Sequence, residues 1–267
     1  MKIRNLMIVV LLVSTVSGCA TSPTGRKQLM IVSEEQAISA SAEAYVQTIA
    51  PLEKEGKINT DKALTQRVEN ITGRLITEAI AMRPETRNWK WSMKVIDDPE
   101  TVNAWCMAGG KMALYTGLVE KLKPTDDELA QVIGHEIAHA LANHTAEKMS
   151  VSMASSLGIM AVGIATDNRA VTTGAAAAAL LAVTLPNSRT AESEADRIGI
   201  ELAAKAGYDP RASVTLWKKM GEVGGGTPPE FLSTHPSSDT RQGRLQKLVP
   251  QMMPYYEEKK PHPVYPL

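Results

Sequence analysis

The chain has 267 residues, 43% of them apolar, which is enough for one sizeable core or two small ones. Its 29 basic and 29 acidic residues cancel, so the basic surplus that a nucleic-acid-binding surface needs is missing. Two cysteines, Cys19 and Cys106, do not make a disulfide framework.

The chain opens with Lys2 and Arg4, followed by an uncharged apolar run from Leu6 to Val16. That run is too short to span a bilayer comfortably but suits the hydrophobic region of a signal peptide. It ends in Val16-Ser17-Gly18-Cys19, similar to the lipobox of bacterial lipoproteins, whose cysteine is acylated and becomes the mature N-terminus. Residues 1–18 are therefore expected to be a lipoprotein signal peptide and Cys19 the lipidation site. Ala20, rather than Asp, at the next position implies a periplasmic protein lipid-anchored to the outer membrane. A lipid anchors a protein without making it span. Cleavage would leave a net charge of about −2, and lipid on Cys19 would leave Cys106 no disulfide partner.

Residues 19–60 read as a tether and an N-terminal helix. The tether covers residues 20–32, and Ser33 with Gln36 has capping-box spacing for a helix to about Ala50. Pro51 to Thr60 is a linker. A second helix is expected over Asp61 to Met82, with Leu64, Val68, Ile71, Leu75 and Ile76 on one face, stopped by Pro84. Trp89 to Ile96 alternates like a strand. Val102 to Met107 and Lys111 to Tyr115 flank a tight turn at Ala108-Gly109-Gly110. Thr125 and Glu128 form a second capping box, opening a long helix to about Met149.

Val151 to Ala165 and Gly174 to Leu185 are apolar but short for a membrane span, and they read as buried helices packed through small side chains. Further helices are expected at Ser188 to Ala206, Pro210 to Glu222 and Asp239 to Leu248, with a flexible loop at Gly224-Gly225-Gly226 and Pro228-Pro229. Residues 251–267 form a Pro-rich tail, disordered or draped on the surface. The pattern predicts a mostly helical α+β domain over residues 61–250, with a small sheet beside the central helix.

That helix contains His135-Glu136-Ile137-Ala138-His139. Residues four apart project from one helix face, so two imidazoles can reach one zinc ion, and Glu136 is placed to take a proton from a zinc-bound water. Chance assembly of this pattern from five histidines is rare. A catalytic zinc needs a third protein ligand and an open position. Glu192-Ser193-Glu194-Ala195-Asp196 supplies candidates, with Glu192 and Asp196 on one face. Ala195 and Gly199 lie near that face and permit a close helix approach. A ligand at Glu192 and a partner for a histidine ring N–H at Asp196 satisfy the geometry together. An ordinary solvated acidic helix start also fits this stretch.

The run from His135 to His139, followed by Glu192-Ser-Glu-Ala-Asp196-Arg-Ile-Gly, resembles the gluzincin family of CAAX prenyl and HtpX-type proteases. Asn103-Ala104, Gly109-Gly110, Tyr115-Thr116-Gly117-Leu118, Thr234-His235-Pro236 and Arg241 match it in the same order, over roughly residues 60–250. The likeness is greatest to its soluble periplasmic BepA and LoiP branch. It implies a zincin-like fold, one zinc ion, Glu192 as third ligand and His235 as a fourth ligand that keeps the site latent. Two departures stand out: Ala-Trp-Cys-Met-Ala precedes the glycines, and no room follows residue 250 for a helical repeat domain.

The expected activity is metalloendopeptidase hydrolysis of unfolded or misassembled envelope polypeptides. Glu136 is the base, Arg241 a candidate oxyanion donor that could equally be a surface residue, and the strand Lys111 to Tyr115 the candidate edge for substrate pairing. His144 falls off the metal face and reads as structural, and His262 lies in the tail. Two other readings stand beside this one: a chaperone-like assembly factor with a closed or structural zinc site, and a non-enzymatic lipoprotein.

Overall fold

Polar caps and helix breakers place the element boundaries in a computed structural model that describes residues 19–166, 188–223, 231, 235 and 239–267. The expected signal peptide, the apolar segment Gly174 to Leu185 and the triglycine loop lie outside the described residues. The chain begins with an antiparallel hairpin, β1 (Cys19–Thr21) and β2 (Lys27–Leu29). The capping box at Ser33 and Gln36 opens α1 (Glu34–Lys54), which continues through Pro51. Asp61 caps α2 (Lys62–Met82), and Pro84–Asn88 follows as a 3-10 turn.

The sheet comprises β3 (Ser92–Ile96), β4 (Ala104–Met107) and β5 (Lys111–Tyr115), in the order β3-β5-β4. β5 pairs parallel with β3 and antiparallel with β4. The hairpin between β4 and β5 turns through Gly109 at φ 81° and Gly110 at φ 78°, and Trp91 packs where a side chain on Gly110 would go. This order corrects one expectation. β5 is not the substrate edge, because a strand lies on each side of it. The outer edge of β4 pairs with no described strand.

The remaining elements are α3 (Thr116–Leu122), α4 (Asp126–Leu141), α5 (His144–Thr166), α6 (residues 188–205), α7 (Ala212–Glu222) and α8 (Asp239–Glu257). Both halves of the capping box at Thr125 and Glu128 are present at the start of α4. Val68, Ile71, Leu75 and Ile76 of α2 meet Leu129, Val132, Ile133 and Ile137 of α4 in one core, with the sheet on the same side. This mostly helical α+β arrangement is the fold class expected.

Four local expectations change. The helix expected to run to Met149 breaks after Leu141, where Asn143 takes left-handed backbone at φ 55°. Asparagine tolerates that conformation. The break is held from outside: Arg83 Nη1 donates to Leu141 O at 2.6 Å, and Asn143 Nδ2 and Arg83 Nη2 both donate to Glu34 Oε2. Residues 20–32 are no free tether, because Gln28 Nε2 donates to Ala142 O at 2.7 Å and Val32 N to Ser150 Oγ at 2.9 Å. In α5, Met153 and Leu157 are exposed rather than buried; among the described residues no helix is long and apolar enough to cross a membrane. The helix expected to end at Leu248 extends to Glu257, and the following tail lies on α2 through Tyr265 N donating to Gly73 O at 3.0 Å.

α4 and α6 cross where two glycines meet. A Cβ on Gly199 would lie 2.8 Å from the His135 amide nitrogen, and one on Gly134 would lie 2.9 Å from Gly199 O. Backbone cannot yield as a flexible side chain does, so Gly199→Ala is expected to cost about 1–3 kcal/mol in denaturant unfolding. Gly221→Ala, in α7 with open space around the added methyl, should instead be neutral or stabilising by up to about 1 kcal/mol.

Candidate metal centre

The one-turn spacing in α4 brings the His135 and His139 rings to a centroid separation of 4.7 Å. The glycine crossing lays α6 alongside, and its Glu192 carboxylate reaches both rings. Oε2 is 3.4 Å from His135 Nε2, and Oε1 is 3.4 Å from His139 Nε2. The two Nε2 atoms are 3.1 Å apart. His235 completes the group, its Nδ1 lying 3.3 Å from His135 Nε2 and 3.0 Å from Glu192 Oε1. These four residues can offer ligand atoms that all lie within 4.8 Å of one another.

This donor set fits a cation. A tetrahedron with zinc–ligand bonds of about 2.0–2.1 Å has edges of roughly 3.3 Å; His135 Nε2 lies 3.1 Å from His139 Nε2 and 3.3 Å from His235 Nδ1, in a group whose ligand atoms spread over no more than 4.8 Å. Two imidazole nitrogens and a carboxylate, drawn together in a buried space, are a metal-binding set in their chemistry as well. The structure thus brings together the expected His135, His139, Glu192 and His235.

Glu136, on the same helix, stays out of that set. Its carboxylate accepts the Cys106 amide of β4, while Oε1 has no hydrogen-bond donor among the described residues and lies 3.4 Å from His235 Nε2. Burial raises its pKa, opposed by His235 and His135. Tyr115 N donates to Asn103 O, and the alternation of an antiparallel ladder then turns the amides of Ala104 and Cys106 to the outer edge. The outer edge of β4, where Ala104 N donates to Asn103 Oδ1 and Cys106 N to Glu136, therefore borders Glu136.

The other side of His135 is held by charge. Its Nδ1 is 3.2 Å from Asp196 Oδ1. Asp196 accepts from both Nε and Nη2 of Arg241, and Arg241 Nη1 donates to Glu192 Oε2 at 3.2 Å. The guanidinium lies 3.5 Å from the Trp217 ring centroid, and Arg241 is 1% exposed. Arg241 is therefore not a surface residue: its guanidinium is buried and engaged with Asp196 and Glu192. Burial and Arg241 oppose charge on His135, but Asp196 and Glu192 outweigh them and raise its pKa to about 9. Burial holds the His139 pKa well below its ordinary value, despite the opposing pull of Glu192.

His144, expected to be structural and off the metal face, is in direct contact with one of the donors. Its Nδ1 is 2.8 Å from His139 Nδ1, and its Nε2 is 3.2 Å from Glu194 Oε2. The break at Asn143 turns it inward, and that asparagine is the one hint in the sequence. Cys106 is a buried free thiol.

The chain matches Peptidase family M48 over residues 62–249. It is 40% identical over 151 residues to the mitochondrial metalloendopeptidase OMA1 of Arabidopsis thaliana, a match covering 57% of this chain and 30% of that one. To the metalloendopeptidase OMA1 of Bos taurus it is 35% identical over 243 residues, covering 86% and 46%. To the Beta-barrel assembly-enhancing protease of Escherichia coli K12 it is 28% identical over 204 residues, covering 73% and 40%. The chain thus spans less than half the length of each of these three relatives. The family match takes in both helices that carry the donor group and most of the described core, and the chain belongs to peptidase family M48.

Proposed function

We propose that this chain is a zinc-dependent endopeptidase that cleaves unfolded or misassembled polypeptides in the bacterial envelope. The observation that carries this reading is the convergence of His135, His139 and Glu192 beside an uncommitted Glu136 oxygen. Zinc bound there supplies Lewis-acid polarisation of a water and of the scissile carbonyl. Glu136 takes the proton of the attacking water and passes it to the leaving amine. Asp196 and Arg241 keep His135 and Glu192 in position. An extended peptide pairing with the outer edge of β4 would lie next to Glu136, and such pairing selects segments that have lost their own fold.

The envelope location rests on the lipobox-like run ending at Cys19, with residues 1–18 as signal peptide and lipid anchoring to the outer membrane. His235 stands among the other three donors, which favours a resting state closed by this side chain. That placement also supports the second reading, a chaperone-like assembly factor whose zinc site stays shut.

Purified protein should carry one zinc per chain, and Glu192→Ala should lose it; stoichiometric zinc in that variant would overturn the reading. His235→Ala should keep its zinc and raise kcat/KM on casein-derived peptides. Unchanged kinetics would remove the closing role, and absence of cleavage by either form would favour the chaperone-like alternative.

A further inference from the structure

Behind His139, on the side away from the donor group, runs a chain of buried polar contacts that the proposed chemistry does not use. It starts with His139 Nδ1 at 2.8 Å from His144 Nδ1 and continues with His144 Nε2 at 3.2 Å from Glu194 Oε2. If His139 offers Nε2 to a metal, its proton sits on Nδ1. His144 must then accept at Nδ1 and donate from Nε2, and the carboxylate of Glu194 is the matching acceptor. One tautomer of each ring satisfies the whole series.

Glu194 is fixed in turn by the N-terminal hairpin. Arg26 Nε donates to Glu194 Oε2 at 2.6 Å, and the hydroxyls of Ser22 and Thr24 donate to Oε1. The other two nitrogens of Arg26 grip both oxygens of Glu147 at 2.7 and 2.6 Å, and Gln28 Nε2 adds a third donor to that carboxylate at 2.9 Å. His144, Glu147 and Glu194 are all buried. A hairpin that only covered α5 would need apolar side chains. This one aims four polar side chains at two carboxylates.

We propose that the β1–β2 hairpin is the outer clamp of the metal centre: Ser22, Thr24 and Arg26 fix Glu194, Glu194 fixes the His144 ring, and His144 orients His139. These are positioning residues, and the inference rests on the metallopeptidase reading of the site. Partners of metal-bound histidines typically change metal affinity by about 10–100-fold when removed.

The test uses the full chain and zinc itself, with affinity read by competition against a chelator. His144→Ala and Arg26→Ala should each weaken zinc binding about 10–100-fold. At saturating zinc they should lower kcat on a peptide substrate while leaving KM unchanged. His144→Gln should retain most of the affinity, because its amide oxygen can accept from His139 and its amide nitrogen can donate to Glu194. Wild-type affinity and kcat in His144→Ala would overturn the proposal, even if its melting temperature fell. Should His144→Ala fail to fold, wild-type affinity and kcat in Arg26→Ala would overturn it equally. A wild-type chain that binds no zinc would overturn the metallopeptidase reading itself. A chain that loses zinc in Glu192→Ala but keeps full affinity in both hairpin-side variants would overturn the clamp alone.

Discussion

Glu136→Gln is expected to lower peptide hydrolysis by about 10²–10⁴-fold while leaving zinc content unchanged. The two effects separate because Glu136 is absent from the donor group formed by His135, His139, Glu192 and His235. Glutamine keeps the shape of the side chain and can still accept the Cys106 amide, so the helix and the edge strand should stay in place. It cannot accept a proton from an attacking water. Casein or quenched-peptide cleavage at matched zinc occupancy measures the loss. Undiminished activity would remove Glu136 as the base.

Arg241→Ala should be among the most destabilising single changes in the domain. The arginine is 1% exposed and sits between Asp196 and Glu192, each 6% exposed, with its guanidinium stacked on Trp217. Truncation leaves two buried carboxylates without their cation, a loss of about 3–5 kcal/mol. For a domain of this size that corresponds to a fall in Tm of roughly 6–20 °C. Lysine at this position restores the charge but not the fork that reaches Asp196 twice and Glu192 once, so Arg241→Lys should fall between the two. Thermal unfolding of metal-free protein checks this without interference from zinc affinity. A loss under about 1 kcal/mol would show that water replaces the guanidinium.

Where sequence reasoning succeeded, the determining interactions were local. Caps at Ser33 and Thr125 act within a few residues, and the placement of His135 and His139 on one face follows from helix pitch alone. Glu192 required more, because its helix start could also have been a solvated acidic one; the family likeness selected it, and the crossing at Gly199 delivers it. Where the reading failed, the cause was non-local. On an unbroken helix His144 lies about 140° from His139, and only the left-handed Asn143, stabilised from α1 and α2 by Glu34 and Arg83, brings it back. Strand alternation marked Lys111 to Tyr115 as extended but carried no information about which neighbours flank it. Residues 20–32 read as a tether because the partners of Ser22, Thr24, Arg26 and Gln28 lie over a hundred positions away in the chain.

The meeting of Gly134 with Gly199 also limits what the two helices can carry at their crossing. Bare peptide lies against bare peptide there, so any side chain larger than hydrogen at either position pushes α6 off α4 and takes the Glu192 carboxylate away from His135 and His139. The integrity of the donor group thus depends on two positions that donate nothing to it.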